Sequence, residues 1–295
     1  MGDEPLIDTH VHFFDRAEPG LEWSWLRAGY SFRKWTATES VDRPRYSVAE
    51  FTDDAVGAHV AGVVHGHSAD PIDDPAVETA WLERLGDEQG TIVGIVGRCA
   101  LGAPDAPALI ARHAAHARFR GVRDPEASRH LDPAAVGAAM QACADAGASV
   151  ELRRDHRQFE ALCAVAGQWP EVTVALTHAC LPLERTPEQL RDWWKAMRRL
   201  AIDHENVVCK ISAVAGASDP EWTVDSIRPW ILGCVEAFGA QRCMLGSNWP
   251  VEAQFGTYHR LIDAYREVAS ALTATERADL FHGTAIRVYR LPTEV

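Results

Sequence analysis

The sequence predicts an α/β fold in which eight βα units close into a TIM barrel. Short apolar runs alternate with longer stretches whose apolar residues recur every three or four positions. This alternation is typical of a parallel sheet covered by helices. Eight such apolar runs occur along the chain, and eight is the number of parallel strands that closes a barrel.

Each predicted strand is a short apolar run. The runs are Leu6 to His12, Val60 to His65, Thr91 to Val96, Phe119 to Arg123, Ala148 to Leu152, Val172 to Leu176, Asn206 to Ile211 and Arg242 to Leu245. The predicted helices between them are 75–87, 105–117, 133–146, 155–168, 187–204 and 222–238. Cap-proline pairs at Asp132-Pro133 and Thr186-Pro187 indicate two helix starts, because the cap oxygen accepts from a free N–H and proline has none. A capping box at Thr273 to Glu276 indicates a last helix.

We expect one domain over residues 1–295, since barrels of about 250 residues form single units. The net charge of −13, without a basic run, argues against nucleic acid or an anionic membrane as partner. No apolar stretch approaches the roughly 18 residues of a membrane span, and MGDEPLID does not resemble a secretory signal. We therefore expect a cytoplasmic protein whose seven scattered cysteines are buried thiols.

A long insertion at about 15–50, after the first strand, departs from the βα pattern. Its aromatic residues are Trp23, Trp25, Tyr30, Phe32 and Trp35. An aromatic loop at the carboxyl rim of a barrel can form a lid or a pocket wall. A surface loop or a contact within a homo-oligomer is an equally good interpretation.

A His-x-His pair lies at the end of the first predicted strand. Residues two apart in a strand point to the same face, so we expect Asp8, His10 and His12 to project together into the barrel interior. Such a pair alone is a weak signal. It becomes a strong one here, because barrel active sites lie at the carboxyl ends of the strands. We therefore predict that His10 and His12 bind a metal ion or the polar groups of a substrate.

Six segments resemble the lactonase-like branch of the amidohydrolase superfamily. They are Asp8 to Asp15 (DTHVHFFD), Phe119 to Arg123 (FRGVR), Thr177-His178, Val208 to Ser212 (VCKIS), Leu245 to Val251 (LGSNWPV) and His282 to Leu291 (HGTAIRVYRL). They follow one another in the expected order, so the resemblance covers the whole domain. It implies a barrel of the metal-dependent-hydrolase type that opens lactones of sugar acids or pyrone dicarboxylates, with a divalent metal in some members and none in others.

Further candidate residues end other predicted strands. His178 follows the sixth run and is expected to face the site, although a purely structural histidine is the alternative. His65 ends the second run, two residues before His67, and is a candidate substrate contact. We also place Trp249, next to the eighth run, among the substrate-binding candidates.

Charged residues in the middle runs offer a site for a substrate carboxylate. The planar guanidinium of Arg123 suits bidentate binding of such a group. Glu151 and Arg153 share one face of the fifth run, so an internal salt bridge between Glu151 and Arg123 is an equally weighted structural alternative. Lys210, in the seventh run, likewise either binds a substrate carboxylate or forms an internal salt bridge.

Asn248 stands where the resemblance implies an aspartate that acts as general base. An amide nitrogen has no useful lone pair at neutral pH, so Asn248 cannot accept a proton from water. Three explanations stay open. The base is another group, namely Glu252, Glu151, His10 or His178; the reaction needs no carboxylate base, as in an isomerisation, a decarboxylation or a histidine-assisted addition of water; or the asparagine inactivates the enzyme.

The leading hypothesis is a hydrolase that opens a lactone, or a related cyclic ester, of a carboxylate-bearing small molecule. A lyase or isomerase on the same scaffold is the alternative, and a barrel that binds a ligand without turnover is the third hypothesis. The imidazoles of His10, His12 and His178 suit one divalent ion, zinc above others. Asn248 supplies no anionic ligand, which weakens metal binding, so catalysis without metal is an equal alternative.

Overall fold

A computed structural model describes residues 4–27, 31–32, 35–36, 43–71, 73–125, 131–182, 184–216 and 219–292. Within them, eight parallel strands hydrogen-bond in chain order. They are β1 (Leu6–Val11), β2 (Val60–Gly66), β3 (Ile92–Arg98), β4 (Phe119–Arg123), β5 (Ser149–Leu152), β6 (Val174–Leu176), β7 (Val207–Ile211) and β8 (Cys243–Leu245). Each coincides with one of the predicted apolar runs, so the predicted barrel is confirmed.

Helices connect the strands and follow the last one. They are α1 (Val48–Asp54), α2 (Ala76–Gln89), α3 (Ala106–Ala114), α4 (Gly137–Ala146), α5 (Phe159–Gln168), α6 (Pro187–Asp203), α7 (Val224–Phe238), α8 (Tyr258–Ala269), α9 (Ala274–Ala278) and α10 (Thr284–Tyr289). None of the helices in the described ranges is long and apolar enough to cross a membrane. The seven cysteines are free thiols, and all but the half-buried Cys163 are buried.

Two of the three predicted caps are confirmed. The Thr186 side chain accepts from the Gln189 N–H at the start of α6, and Thr273 caps α9 through a capping box. The predicted start at Asp132-Pro133 is wrong, because α4 begins at Gly137. Asp132 instead accepts from the N–H of Ala134, two residues on, and this contact closes a turn.

Backbone hydrogen bonds between the first strand and the segment after the last one join the two edges of the sheet. The N–H of Asn248 donates to the carbonyl of His10 at 2.8 Å, and the N–H of His12 donates to the carbonyl of Trp249 at 2.7 Å. These bonds lie at the carboxyl ends of β1 and β8. They hold Asn248 beside the two histidines that end β1.

The amino-terminal end of the barrel is filled by apolar side chains. The strand residues in this cluster are Ile7, Val64, Val96, Ala175, Val208 and Met244, and α10 and its flanks add Ala285, Tyr289 and Leu291. The C-terminal helix thus closes this end of the barrel. Polar side chains of the interior collect at the other end, where the strands finish.

The insertion contains short antiparallel pairs, one of which joins it to the segment after β2. Phe14–Asp15 pairs with Arg45–Tyr46, Leu21–Glu22 pairs with Asp70–Pro71, and Ser31–Phe32 pairs with Trp35–Thr36. Tyr30 lies outside the described residues, as do the side chains of Phe32 and Trp35. Trp23 is buried and Trp25 is half-buried.

Candidate active site

Three histidine rings converge at the carboxyl end of the barrel. The ring centroid of His10 lies 4.7 Å from that of His12 and 4.6 Å from that of His178. His10 is fully buried, and two glycines make room for it. A Cβ on Gly66 would lie 3.1 Å from Cε1 of His10, and one on Gly246 would lie 2.7 Å from its Cβ.

Asp8 does not join this cluster, contrary to the prediction from strand alternation. The pairing of β1 with β2 shifts register between Asp8 and Val11, so the strict alternation of faces breaks there. The Asp8 carboxylate instead accepts from the N–H of Ser247 at 2.8 Å and from the hydroxyl of Tyr258, in α8, at 2.9 Å. Asp8 therefore links β1 to the end of β8 and to an outer helix.

His178 reaches the cluster from a tight turn after β6. Its backbone has a φ of 56°, a left-handed conformation that is uncommon for a non-glycine residue. Its Nδ1 lies 2.8 Å from the hydroxyl oxygen of Ser212, at the end of β7, and its ring is half-buried. Such strain is common at functional sites, where the surrounding structure maintains it.

Burial keeps these imidazoles neutral. Desolvation lowers the pKa of His12 to about 3 and holds the pKa of His10 and of His178 well below its usual value. The positive charge of Arg123 adds to the effect in all three. His65, also fully buried, has its pKa lowered to about 4, again chiefly by desolvation. The rings therefore present lone pairs and single N–H groups at neutral pH.

The donor set of this cluster fits a divalent metal such as zinc. Both nitrogens of His10 are buried and have no hydrogen-bond partner among the described residues, which is costly unless a ligand satisfies one of them. Neutral imidazoles are the form that binds metal. Across the described ranges, however, no group of three or more His, Cys, Asp or Glu side chains is already arranged to hold an ion.

Asn248 connects His12 to a buried carboxyl group. Its amide nitrogen donates to Oε1 of Glu252 at 3.1 Å, and its Oδ1 lies 3.2 Å from Nε2 of His12. Nδ1 of His12 lies 2.9 Å from the carbonyl oxygen of Gly66, so a neutral ring carries its proton on Nδ1. Nε2 is then an acceptor. If the Asn248 amide is rotated by 180°, its nitrogen donates to Nε2 of His12. Its oxygen then accepts a hydrogen bond from the protonated carboxyl of Glu252.

The Glu252 carboxyl has a pKa raised to about 7 by burial, against the opposing effects of the Asn248 hydrogen bond and the positive charge of Arg185. Oε2 is buried without a hydrogen-bond partner in the described part of the chain. Gly216 packs so closely that a Cβ there would lie 2.4 and 2.5 Å from the two carboxyl oxygens. Glu252 therefore changes its protonation state near neutral pH.

Lys210 and Glu151 form an ion pair in which both side chains are fully buried. The hydroxyl of Tyr289, from α10, donates to the same oxygen of Glu151 at 2.6 Å, and the hydroxyl of Thr177 donates to the other at 3.4 Å. Both oxygens of Glu151 are therefore occupied. Among the described residues Glu151 forms its salt bridge with Lys210 and not with Arg123, although the charge of Glu151 opposes the effect of burial on the pKa of Arg123.

Arg123 ends β4 beside the histidines, and its guanidinium has no hydrogen bond or salt bridge among the described residues. Arg153, just past β5, is half-buried and close enough for its charge to lower the pKa of His178. The indole N–H of Trp249 donates to Asp54 at 2.8 Å, its ring packs on Tyr258, and only 3% of the residue is exposed. Its role as a substrate contact stays a prediction.

The sequence did not point to Arg185, although the positive charge of this residue lowers the pKa of Glu252. Arg185 is nine-tenths buried, and its guanidinium lies 3.5 Å from Asp219 and faces the ring of Trp230. It follows β6 by several residues, and no spacing rule points to a residue so far into a loop. Only the folded chain places its charge near Glu252.

Comparisons with known proteins agree with this geometry. Residues 7–291 match the family described as Amidohydrolase. L-fucono-1,5-lactonase of Burkholderia multivorans is 31% identical, over 97% of this chain and 96% of that protein. An amidohydrolase of Burkholderia multivorans, solved with bound zinc, aligns with a TM-score of 0.80 at 25% identity, over 98% of this chain and 100% of that one. A 5-carboxyvanillate decarboxylase of Novosphingobium aromaticivorans, solved with manganese, shares the fold, with a TM-score of 0.69 at 13% identity over 98% of both chains.

Eight parallel strands with histidines converging at their carboxyl ends place the protein in the class of (β/α)8 barrels with a candidate active site at that end. The chain belongs to the amidohydrolase family. The resemblance stated from the sequence is therefore confirmed.

Proposed function

We propose that this chain hydrolyses a lactone, or a related cyclic ester, of a carboxylate-bearing small molecule. The observation that carries the proposal is the position of Glu252, a carboxyl whose pKa is raised to about 7 and which is linked through the side chain of Asn248 to His12. Two relatives named L-fucono-1,5-lactonase, at 28% and 31% identity, support a lactone ring as the group that is opened.

Glu252 is the general base in this proposal. Glu151 is excluded because Lys210, Tyr289 and Thr177 occupy its oxygens. The low pKa values of His10 and His178 make both rings weak bases. Oε2 of Glu252 would accept the proton of the attacking water as the water oxygen bonds to the carbonyl carbon, while Asn248 holds Oε1 in place. The same carboxyl would return the proton to the ring oxygen when the C–O bond of the ester breaks. The asparagine thus positions the base.

The remaining residues bind and polarise the substrate. The imidazoles of His10, His12 and His178 surround the position of the lactone carbonyl, and Arg123 and Arg153 offer positive charge to the substrate carboxylate. His65, whose ring centroid lies 6.1 Å from that of His12, remains a candidate substrate contact. A divalent metal held by His10, His12 and His178 would, when bound, supply a Lewis acid for the carbonyl oxygen.

A lyase or isomerase is the second candidate, favoured by the amide of Asn248 where the resemblance implies a carboxylate. Incubation with a panel of sugar-acid lactones and pyrone carboxylates in H₂¹⁸O separates the two. Hydrolysis adds one ¹⁸O to the ring-opened acid, whereas decarboxylation or isomerisation gives a product without this label. We expect labelled acid, and we expect His178→Ala to lower its rate by several orders of magnitude. Turnover without label would contradict the hydrolase assignment.

A further inference from the structure

Trp25 lies at the rim of the barrel next to the histidine cluster. The centroid of its ring is 6.2 Å from that of His12, and the two ring planes are inclined at 57°. Trp25 is half-buried, whereas His12 is only 6% exposed. Trp25 is thus a large aromatic residue beside His12 that keeps part of its surface exposed.

The indole is fixed from two sides. Its N–H donates to the carbonyl of Ser68 at 3.1 Å, and its ring meets that of Phe14 edge-on at 5.7 Å. Ser68 is itself held by Glu78, which accepts from the Ser68 N–H at 2.9 Å. The N–H of Ser24 donates to Asp70 at 2.9 Å and so fixes the backbone next to Trp25. The ring is therefore positioned before any ligand arrives, which lowers the entropic cost of binding.

This arrangement differs from that of Trp23, two residues earlier. Trp23 donates to the hydroxyl of the same Ser68 at 3.2 Å, but it is only 4% exposed. Its ring packs against Trp81 at 5.8 Å. Trp23 therefore serves the packing of the insertion, and Trp25 is the one of the two that offers surface to the site.

We infer that Trp25 is a specificity-determining residue that receives the ring of the substrate against its indole face. The inference rests on the proposed function. A substrate whose carbonyl is at His12 and whose carboxylate is near Arg123 has its ring within reach of Trp25. Aromatic side chains contribute large apolar contact area at low conformational cost. The ligand class is therefore a cyclic ester with an apolar ring face and an acidic substituent.

Steady-state kinetics of Trp25→Ala, Trp25→Phe and Trp23→Phe on the best lactone test this inference. We expect Trp25→Ala to raise KM about tenfold with kcat within about twofold, because a ring contact made equally in ground and transition state affects binding alone. Trp25→Phe should raise KM by a smaller factor. Trp23→Phe should lower the melting temperature and leave KM unchanged.

The outcomes separate the two proposals. An unchanged KM in Trp25→Ala, with the wild type active, overturns the role of Trp25 alone. A joint fall of kcat and melting temperature in both Trp25 variants also overturns it, since that result indicates a structural role. A wild type that opens no lactone overturns the proposed function together with this inference.

Discussion

The amide nitrogen of Asn248 donates to Oε1 of Glu252 across 3.1 Å, and both side chains are buried. An asparagine fits this position because its amide can hydrogen-bond to Glu252 in either orientation. It donates to the ionised carboxyl and, when rotated, accepts from the protonated carboxyl and donates to Nε2 of His12. An aspartate at the same position would set two carboxylates against each other. The pair is the structural basis of our proposal that Glu252 serves as the base in a site without an aspartate at this strand end.

Glu252→Gln should stabilise the protein above neutral pH. The pKa of Glu252 is about 7 in the fold against a usual 4.5, so the unfolded chain releases the proton first as the pH rises. Wild-type stability thus falls between about pH 4.5 and pH 7 and then stays lower, by roughly 3 kcal/mol for this buried group. Urea unfolding at pH 5 and pH 8 measures the difference. Equal stability of variant and wild type at pH 8 would contradict the raised pKa.

Asn248→Asp should lower kcat/KM about tenfold or more at pH 7. A carboxylate next to Glu252 repels the ionised form of that group and moves its pKa upward. Activity should therefore recover partly at higher pH. Asn248→Ala is the control: it removes the amide without adding a charge, so its kcat/KM shows how much of the effect of Asn248→Asp comes from the new carboxylate. A rise in lactonase activity in Asn248→Asp would show instead that the missing aspartate is the better base.

Arg123→Met should raise KM for an acidic lactone by about tenfold to a hundredfold, since a charge-assisted contact is worth about 1.5–3 kcal/mol. The KM for a lactone without a carboxylate should not change. Arg191→Met, at an exposed position of α6, is the matched control. Equal effects on both lactones would show that Arg123 does not bind the carboxylate.

Lys210→Met should destabilise the fold by about 3–5 kcal/mol, because it leaves Glu151 buried without its counter-charge. The double variant Lys210→Met with Glu151→Leu should recover much of that loss. Chemical denaturation of the three proteins gives the comparison. A single variant as stable as the wild type would mean that Tyr289 and Thr177 alone satisfy Glu151.

The strands could be predicted from sequence because each is a short buried run between polar turns, as at Phe119 to Arg123. The failures have local causes. A register shift in β1 redirects Asp8, and an aspartate-centred turn delays α4 beyond Asp132. Side-chain partners depend on distances across the barrel, so the pairing of Glu151 with Lys210, and not with Arg123, could not be derived from spacing. The effect of the Arg185 charge on the pKa of Glu252 also depends on a distance in the folded chain, so it could not be derived from spacing either.

The pH dependence of kcat/KM, measured for the wild type and for Glu252→Gln, tests the central claim most directly. The base is competent when ionised, so wild-type kcat/KM should rise with pH through a midpoint near 7. In Glu252→Gln, kcat/KM should no longer rise with pH through this midpoint and should be lower than in the wild type by about a hundredfold or more. A variant that keeps both the pH dependence and the rate of the wild type would contradict the assignment of Glu252 as the base.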